Sequence, residues 1–101
     1  MRQITADAVR AFRNNQNFKR GNTEVDIDGA VDYQGKPMSL LLLHGNTIAE
    51  LSNGGMFISS CGWQTVTTKE RLNGLPGVHI EQRNFEWFLN GEYWDGGRIK
   101  I

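Results

Sequence analysis

Apolar residues recur at helical spacing from the start of the chain: Ile4, Ala8, Ala11 and Phe12 form one stripe. Thr5 stands where an N-cap belongs, Asp7 falls in the first turn, and Ile4 and Val9 occupy the positions of a hydrophobic staple. The stripe ends at Asn14–Asn15, which predicts a helix lying on a sheet. The period then changes to two. Val25, Ile27, Val31 and Tyr33 are odd, whereas Glu24, Asp26, Asp28 and Asp32 are even, so one strand face is apolar and the other acidic. Asp28–Gly29 is a two-residue turn signal, yet that turn would set Asp32 beside Val25 on the core face. A three-residue loop, or one strand bent at Gly29, keeps the apolar face whole.

Gly35–Lys36–Pro37 marks a turn before Met38 to His44, where Leu40 to Leu43 is apolar on both faces. This predicts a central strand covered on both sides, with the first helix on one of them. Gly45–Asn46 predicts a hairpin into Thr47 to Leu51, and Ser52 to Gly55 another turn into Met56 to Cys61. Thr67-x-x-Glu70 reads as a capping box, with Gly74 as the residue past the helix end and Pro76 shortly after, which predicts a second helix over Thr68 to Asn73. Val78 to Gln82 alternates again. Asn90–Gly91 is the strongest hairpin signal in the chain, and its register sets Trp87 opposite Trp94 and Phe88 opposite Tyr93. A last strand, Arg98 to Ile101, turns Ile99 and Ile101 inward. The class is α+β: a mainly antiparallel sheet of short strands, an N-terminal helix, and a short second helix after the fourth or fifth strand. Residues 1–101 read as a single domain.

Length and composition agree with this. A chain of 101 residues buries roughly two-thirds of its unfolded surface, so neither metal nor disulfide is needed, and the one cysteine, Cys61, forbids an internal disulfide. Eleven Lys and Arg balance eleven Asp and Glu, against both a general nucleic-acid binder and a polyanionic mimic. No apolar run has the length of a membrane helix, and the N-terminus lacks a signal-peptide core; the expected location is the cytoplasm.

The balance conceals two segments of opposite sign. Residues 1–20 carry Arg2, Arg10, Arg13, Lys19 and Arg20 against Asp7, while residues 24–32 carry four acids. The expectation is that they neutralise each other in the fold; the alternative is a two-signed surface that steers a protein partner. For catalysis, Cys61 with His44 is a nucleophile-and-base pair without an orienting third group. The acids Asp26, Asp28 and Asp32 lack calcium-loop spacing, and no zinc or nucleotide motif is present, so no metal, cofactor or catalytic residue is assigned.

Two places are candidates for binding. One is the segment from Ser59 to Arg71, rich in hydroxyls and leading from a strand into a helix. Its candidate binding residues are Trp63, Gln64, Thr65, Lys69 and Arg71, with Trp63 expected to be anchored in the core and the other four projecting from a rim. The other is the aromatic hairpin. Both its faces carry aromatics, so one is expected to be exposed, with Phe88 and Tyr93 as binding residues of a protein-binding patch or a stacking platform for bases.

The segments H-G-N-x-I-A (His44 to Ala49), C-G-W-x-T-x-T-T-K-x-R-L-N-x-L-P-G-V (Cys61 to Val78) and W-F-L-N-G-x-x-W-D-G (Trp87 to Gly96) lie within a little over half of the chain. Together they resemble short uncharacterised proteins encoded by tailed bacteriophages. The resemblance implies a phage origin and action in the infected host cell, and it assigns no functional residue. The expected function is that of a small accessory protein that binds and modulates or inhibits a host protein, a defence component included. The alternatives are a nucleic-acid-binding module and a small ligand-binding protein or enzyme using the Cys61 segment. A homodimer through the terminal or the acidic strand is a further expectation.

Overall fold

A computed structural model describes all of residues 1–101. The first helix, α1, spans Gln3–Arg13 and buries Ala8, Val9, Ala11 and Phe12. It begins before the expected cap. Arg2 holds the N-cap position without a side-chain bond, because Thr5 is buried and donates its hydroxyl to Glu70 Oε1 instead. Asp7 consequently lies beyond the first turn. The helix ends as its asparagines predict: Asn15 adopts φ +53° and the Gln16 N–H reaches the Ala11 carbonyl at 2.9 Å, a Schellman closure.

The chain then forms β1 (Phe18–Arg20) and β2 (Thr23–Asp26), joined at Gly21–Asn22. Strand β1 is too short and too charged to show in the alternation. Strand β2 stops at Asp26, so the acidic stretch is not one long strand. Its carboxylates build turns: Asp26 accepts from the Asp28 N–H at 2.8 Å, and Asp32 accepts from the N–H groups of Gln34 and Lys36. Such side chains offer the backbone an alternative to the ladder. Only an isolated bridge, Val31 to Pro37, survives, and Val31 and Tyr33 are exposed rather than inward.

Strands β3 (Ser39–Leu43), β4 (Asn46–Ser52) and β5 (Gly55–Ile58) follow, then α2 (Val66–Leu72), β6 (Ile80–Arg83), β7 (Glu86–Leu89), β8 (Glu92–Tyr93) and β9 (Ile99–Lys100). The second helix thus follows the fifth strand. The antiparallel order is β1-β2-β3-β4-β5-β9 in a six-stranded sheet and β6-β7-β8 in a smaller one. The β3–β4 turn is His44–Gly45, with φ +51° and +80°, one residue earlier than expected. A type I′ turn needs positive φ at both central residues and favours glycine at the second, which Gly45 supplies. A bulge in β4 then lets both Ile48 and Ala49 be buried.

Ser39, Leu41 and Leu43 face the core under α1, whereas Leu40 and Leu42 are only half-buried. Strand β3 is interior in the sheet but covered on one side; its outer neighbours in register are Glu24, Asp26 and Glu50. The sheet edges are β1 and β9, so the acidic strand is not an edge. Ile99 on the short edge strand β9 and Ile101 just past it, both expected inward, stay about two-fifths exposed. One cluster of 17 buried apolar residues runs from Phe12 and Leu41 to Leu72, Trp87 and Trp94, so both sheets share a core.

Candidate functional site

The hydroxyl-rich segment ends in α2, whose N-cap is Thr65 and not Thr67: the Thr65 hydroxyl accepts from the Thr68 N–H at 3.1 Å. The capping box does not form because Glu70 turns to α1, where it accepts from Thr5, from the Arg2 N–H and from Arg71. Partial burial raises the affinity of the Glu70 carboxyl for its proton, yet those hydrogen bonds and the Arg71 charge outweigh it and hold the group below the usual glutamate value. Arg71, expected on a rim, is 2% exposed. Its guanidinium donates to Thr23 at 3.0 Å, Thr5 at 3.1 Å and Asn22 at 3.4 Å. A planar fork of donors suits this role, which is to tie α2 to α1 and β2. Lys69 faces away and reaches Gln82 at 3.5 Å.

Between β5 and α2, residues 59–65 form a closely tied loop. The Ser60 N–H and hydroxyl both bond the Gly96 carbonyl, at 2.8 and 3.1 Å. Gln64 donates to the Asp95 carbonyl at 3.0 Å, and the Cys61 thiol donates to the Thr47 carbonyl at 2.7 Å. A Cβ at Gly96 would stand 2.3 Å from Ser60 Oγ, so this contact requires glycine. Trp63, expected in the core, is 61% exposed on this loop. Beside it opens a cleft of about 490 Å³ whose lining includes Leu43, His44, Asn46, Ile48, Trp63 and Thr67. His44 lies on this cleft but makes no hydrogen bond with Cys61; its Nε2 is 3.5 Å from the Asn22 amide.

The smaller sheet is two-faced. Trp87 and Leu89 point inward, and Trp87 meets Trp94 with ring centroids 6.1 Å apart. The outer face aligns Glu81, Phe88 and Tyr93 in register, with Phe88 and Tyr93 edge to face at 6.2 Å and the Arg83 guanidinium 4.1 Å from the Phe88 ring centre. Tyr93 is 62% exposed. At the tip, Asn84 and Phe85 form a two-residue turn with φ +50° and +66°. Phe85 is 92% exposed. Of the residues proposed from the sequence, then, Trp63 and Thr65 share the cleft, and Phe88 and Tyr93 share the outer face. Gln64 braces the loop, while Lys69 and Arg71 belong to neither surface. Phe85 is legible in the sequence as one of the hairpin's aromatics but not as a turn residue; the signal for the turn is Asn84, a residue that favours the left-handed region.

The two charged segments meet in the β1–β2 ladder, where Lys19 stands opposite Glu24, but form no ion pair with each other. Arg20 and Arg10 both turn to Asp7, at 2.8 and 3.7 Å, and no ion pair joins residues 1–20 to the acids of residues 24–32. Asp7 is held below the usual aspartate value, first by its hydrogen bond from Arg20 and then by that from Gln3. No group of three or more His, Cys, Asp or Glu side chains is arranged to hold a metal ion, and no helix is long and apolar enough to cross a membrane.

Comparison with curated proteins and with solved structures returned no match. A family model, described as Kyanoviridae Gp96 protein, matches residues 1–99. That match agrees with the resemblance to tailed-phage proteins and covers nearly the whole chain, so the chain belongs to the Kyanoviridae Gp96 protein family, a family of phage proteins.

Proposed function

We propose that this phage protein binds a host protein in the cytoplasm of the infected cell and modulates or inhibits it, a bacterial defence component being a candidate target. The contact surface in this reading is the tip and outer face of the β6–β8 sheet. Phe85 carries the argument. A bulky residue in the left-handed region costs about 1–2 kcal/mol relative to glycine, and a side chain 92% exposed recovers none of that by burial. The neighbouring turn of the same sheet, Asn90–Gly91, has glycine at the equivalent position. Backbone strain of this kind concentrates at functional sites, and an exposed aromatic on a stiff hairpin is the geometry of an interface anchor.

Tyr93, Phe88 and Arg83 extend the patch with residue types enriched at interfaces. Glu81 and Glu86 share its face, which favours a partner with an apolar socket and a basic rim and disfavours nucleic acid. The test is affinity capture from host lysate with the wild-type protein, Phe85→Gly, Tyr93→Ala and, as a control, Lys36→Ala in the distant β2–β3 loop. The expected outcome is a stoichiometric host protein retained by wild type and Lys36→Ala and lost or strongly reduced with Phe85→Gly and Tyr93→Ala. Absence of any retained protein, or retention that ignores both aromatic substitutions, overturns the proposal.

A further inference from the structure

The cleft beside Trp63 has no part in that reading, and its chemistry is selective. None of its lining side chains is an Asp, Glu, Lys or Arg. Its volume of about 490 Å³ lies within the range of small-molecule sites. Leu43 and Ile48 give it an aliphatic floor, and both are nearly fully buried, so that floor belongs to the rigid core. Trp63 gives it an indole wall. The backbone that carries the indole is held by its loop: the Trp63 backbone N–H bonds the Ser60 carbonyl at 2.9 Å, and Ser60 is anchored on Gly96. Holding the platform in this way lowers the ordering cost of binding.

The polar groups lie among these apolar surfaces. The Asn46 amide, the Thr67 hydroxyl and the Trp63 indole N–H have no hydrogen-bond partner within the chain, and His44 has only the 3.5 Å approach to Asn22. An apolar floor, an aromatic wall and neutral donors and acceptors match a flat ring with apolar faces and a polar edge. A sugar carries hydroxyls around its whole edge, more polar groups than the few unpartnered ones here can pair. An anion would find no cation. We infer that the cleft between the β3–β4 turn and the Trp63 loop binds an uncharged nucleobase, stacked on Trp63 and read along its edge by Asn46. A primary amide offers a donor and an acceptor side by side, the pairing that base edges present. With no Lys or Arg in the lining, a phosphate on the ligand is expected to add no affinity.

Trp87 and Trp94 are buried, so surface-accessible quenching of tryptophan emission reports on Trp63. The experiment titrates the full chain with adenosine, guanosine, cytidine and uridine and with their monophosphates, following that emission and, in parallel, heat. At least one nucleoside is expected to quench saturably. Its monophosphate binds no more tightly, and the affinity is unchanged between low and physiological salt. Trp63→Leu, scored by heat, and Asn46→Ala each weaken binding by about tenfold or more, the range for loss of one stacking or paired contact. Trp63 and Asn46 are exposed, so both variants retain the wild-type unfolding midpoint. Failure of all four nucleosides to saturate overturns the inference, as does binding indifferent to both substitutions. Affinity that rises with phosphate and falls with salt overturns the neutral-ligand assignment.

Discussion

Arg71 shows how a single residue changes meaning once its neighbours are known. In the sequence it is one of several cations near a helix, and exposure is the default for arginine. In the fold it is enclosed by Thr5, Asn22, Thr23 and its own neighbour Glu70, which come from three stretches of chain. Removing the guanidinium leaves two buried hydroxyls and a carboxylate without their partner. Arg71→Met is expected to lower stability by about 3 kcal/mol, the lower end for a broken buried pair because Glu70 keeps some contact with water. Urea unfolding measures this as a fall in midpoint at unchanged slope. Arg71→Lys does not rescue it, since an ammonium lacks the planar fork. Thr5 is the matching case. Its type suits a cap, and the cap reading failed because a tertiary acceptor, Glu70, competes for the same hydroxyl.

Among the elements, turns were the most legible and covered faces the least. Asn90–Gly91 set the pairing of Phe88 with Tyr93 and the meeting of Trp87 with Trp94 as read, because a type I′ turn fixes register locally. The Asn84–Phe85 turn of the same sheet permits a direct test of strain. Phe85→Gly is expected to stabilise the protein by roughly 1 kcal/mol, seen as a higher urea midpoint, while weakening capture of the host partner. A gain in stability with loss of binding separates an anchor from a structural residue. The candidate surfaces were half legible for a similar reason. Alternation around Asn90–Gly91 indicates that aromatics occupy both hairpin faces, so an exposed patch follows from the pattern. The cleft did not follow, because it joins the β3–β4 turn to the loop before α2, and nothing local to either segment records their contact.

For the molecule as a whole, the second helix is locked to the rest through Glu70, and this gives stability an acid dependence. Glu70 holds its proton less readily in the folded protein than the ordinary value of 4.5. Its contribution is therefore fully present above about pH 4.5 and lost as pH falls through the lower folded value. Lowering the pH from about 7 to about 3 should reduce the urea midpoint of wild type more than that of Glu70→Gln; equal losses would show that other carboxylates dominate. The sequence by itself determined the α+β class, the existence of both helices, and the strands from β3 onward. It also determined the phage kinship, carried by motifs that span much of the chain. These rest on short-range periodicity and turn chemistry, which act within a few residues. Only the tertiary structure decided that Leu40 and Leu42 lie on an open face, that Arg71 is buried, that Trp63 is exposed, and that the cations of residues 1–20 form no ion pair with the acids of residues 24–32. Each depends on which distant element covers a residue, and a pattern of local preferences does not encode that cover.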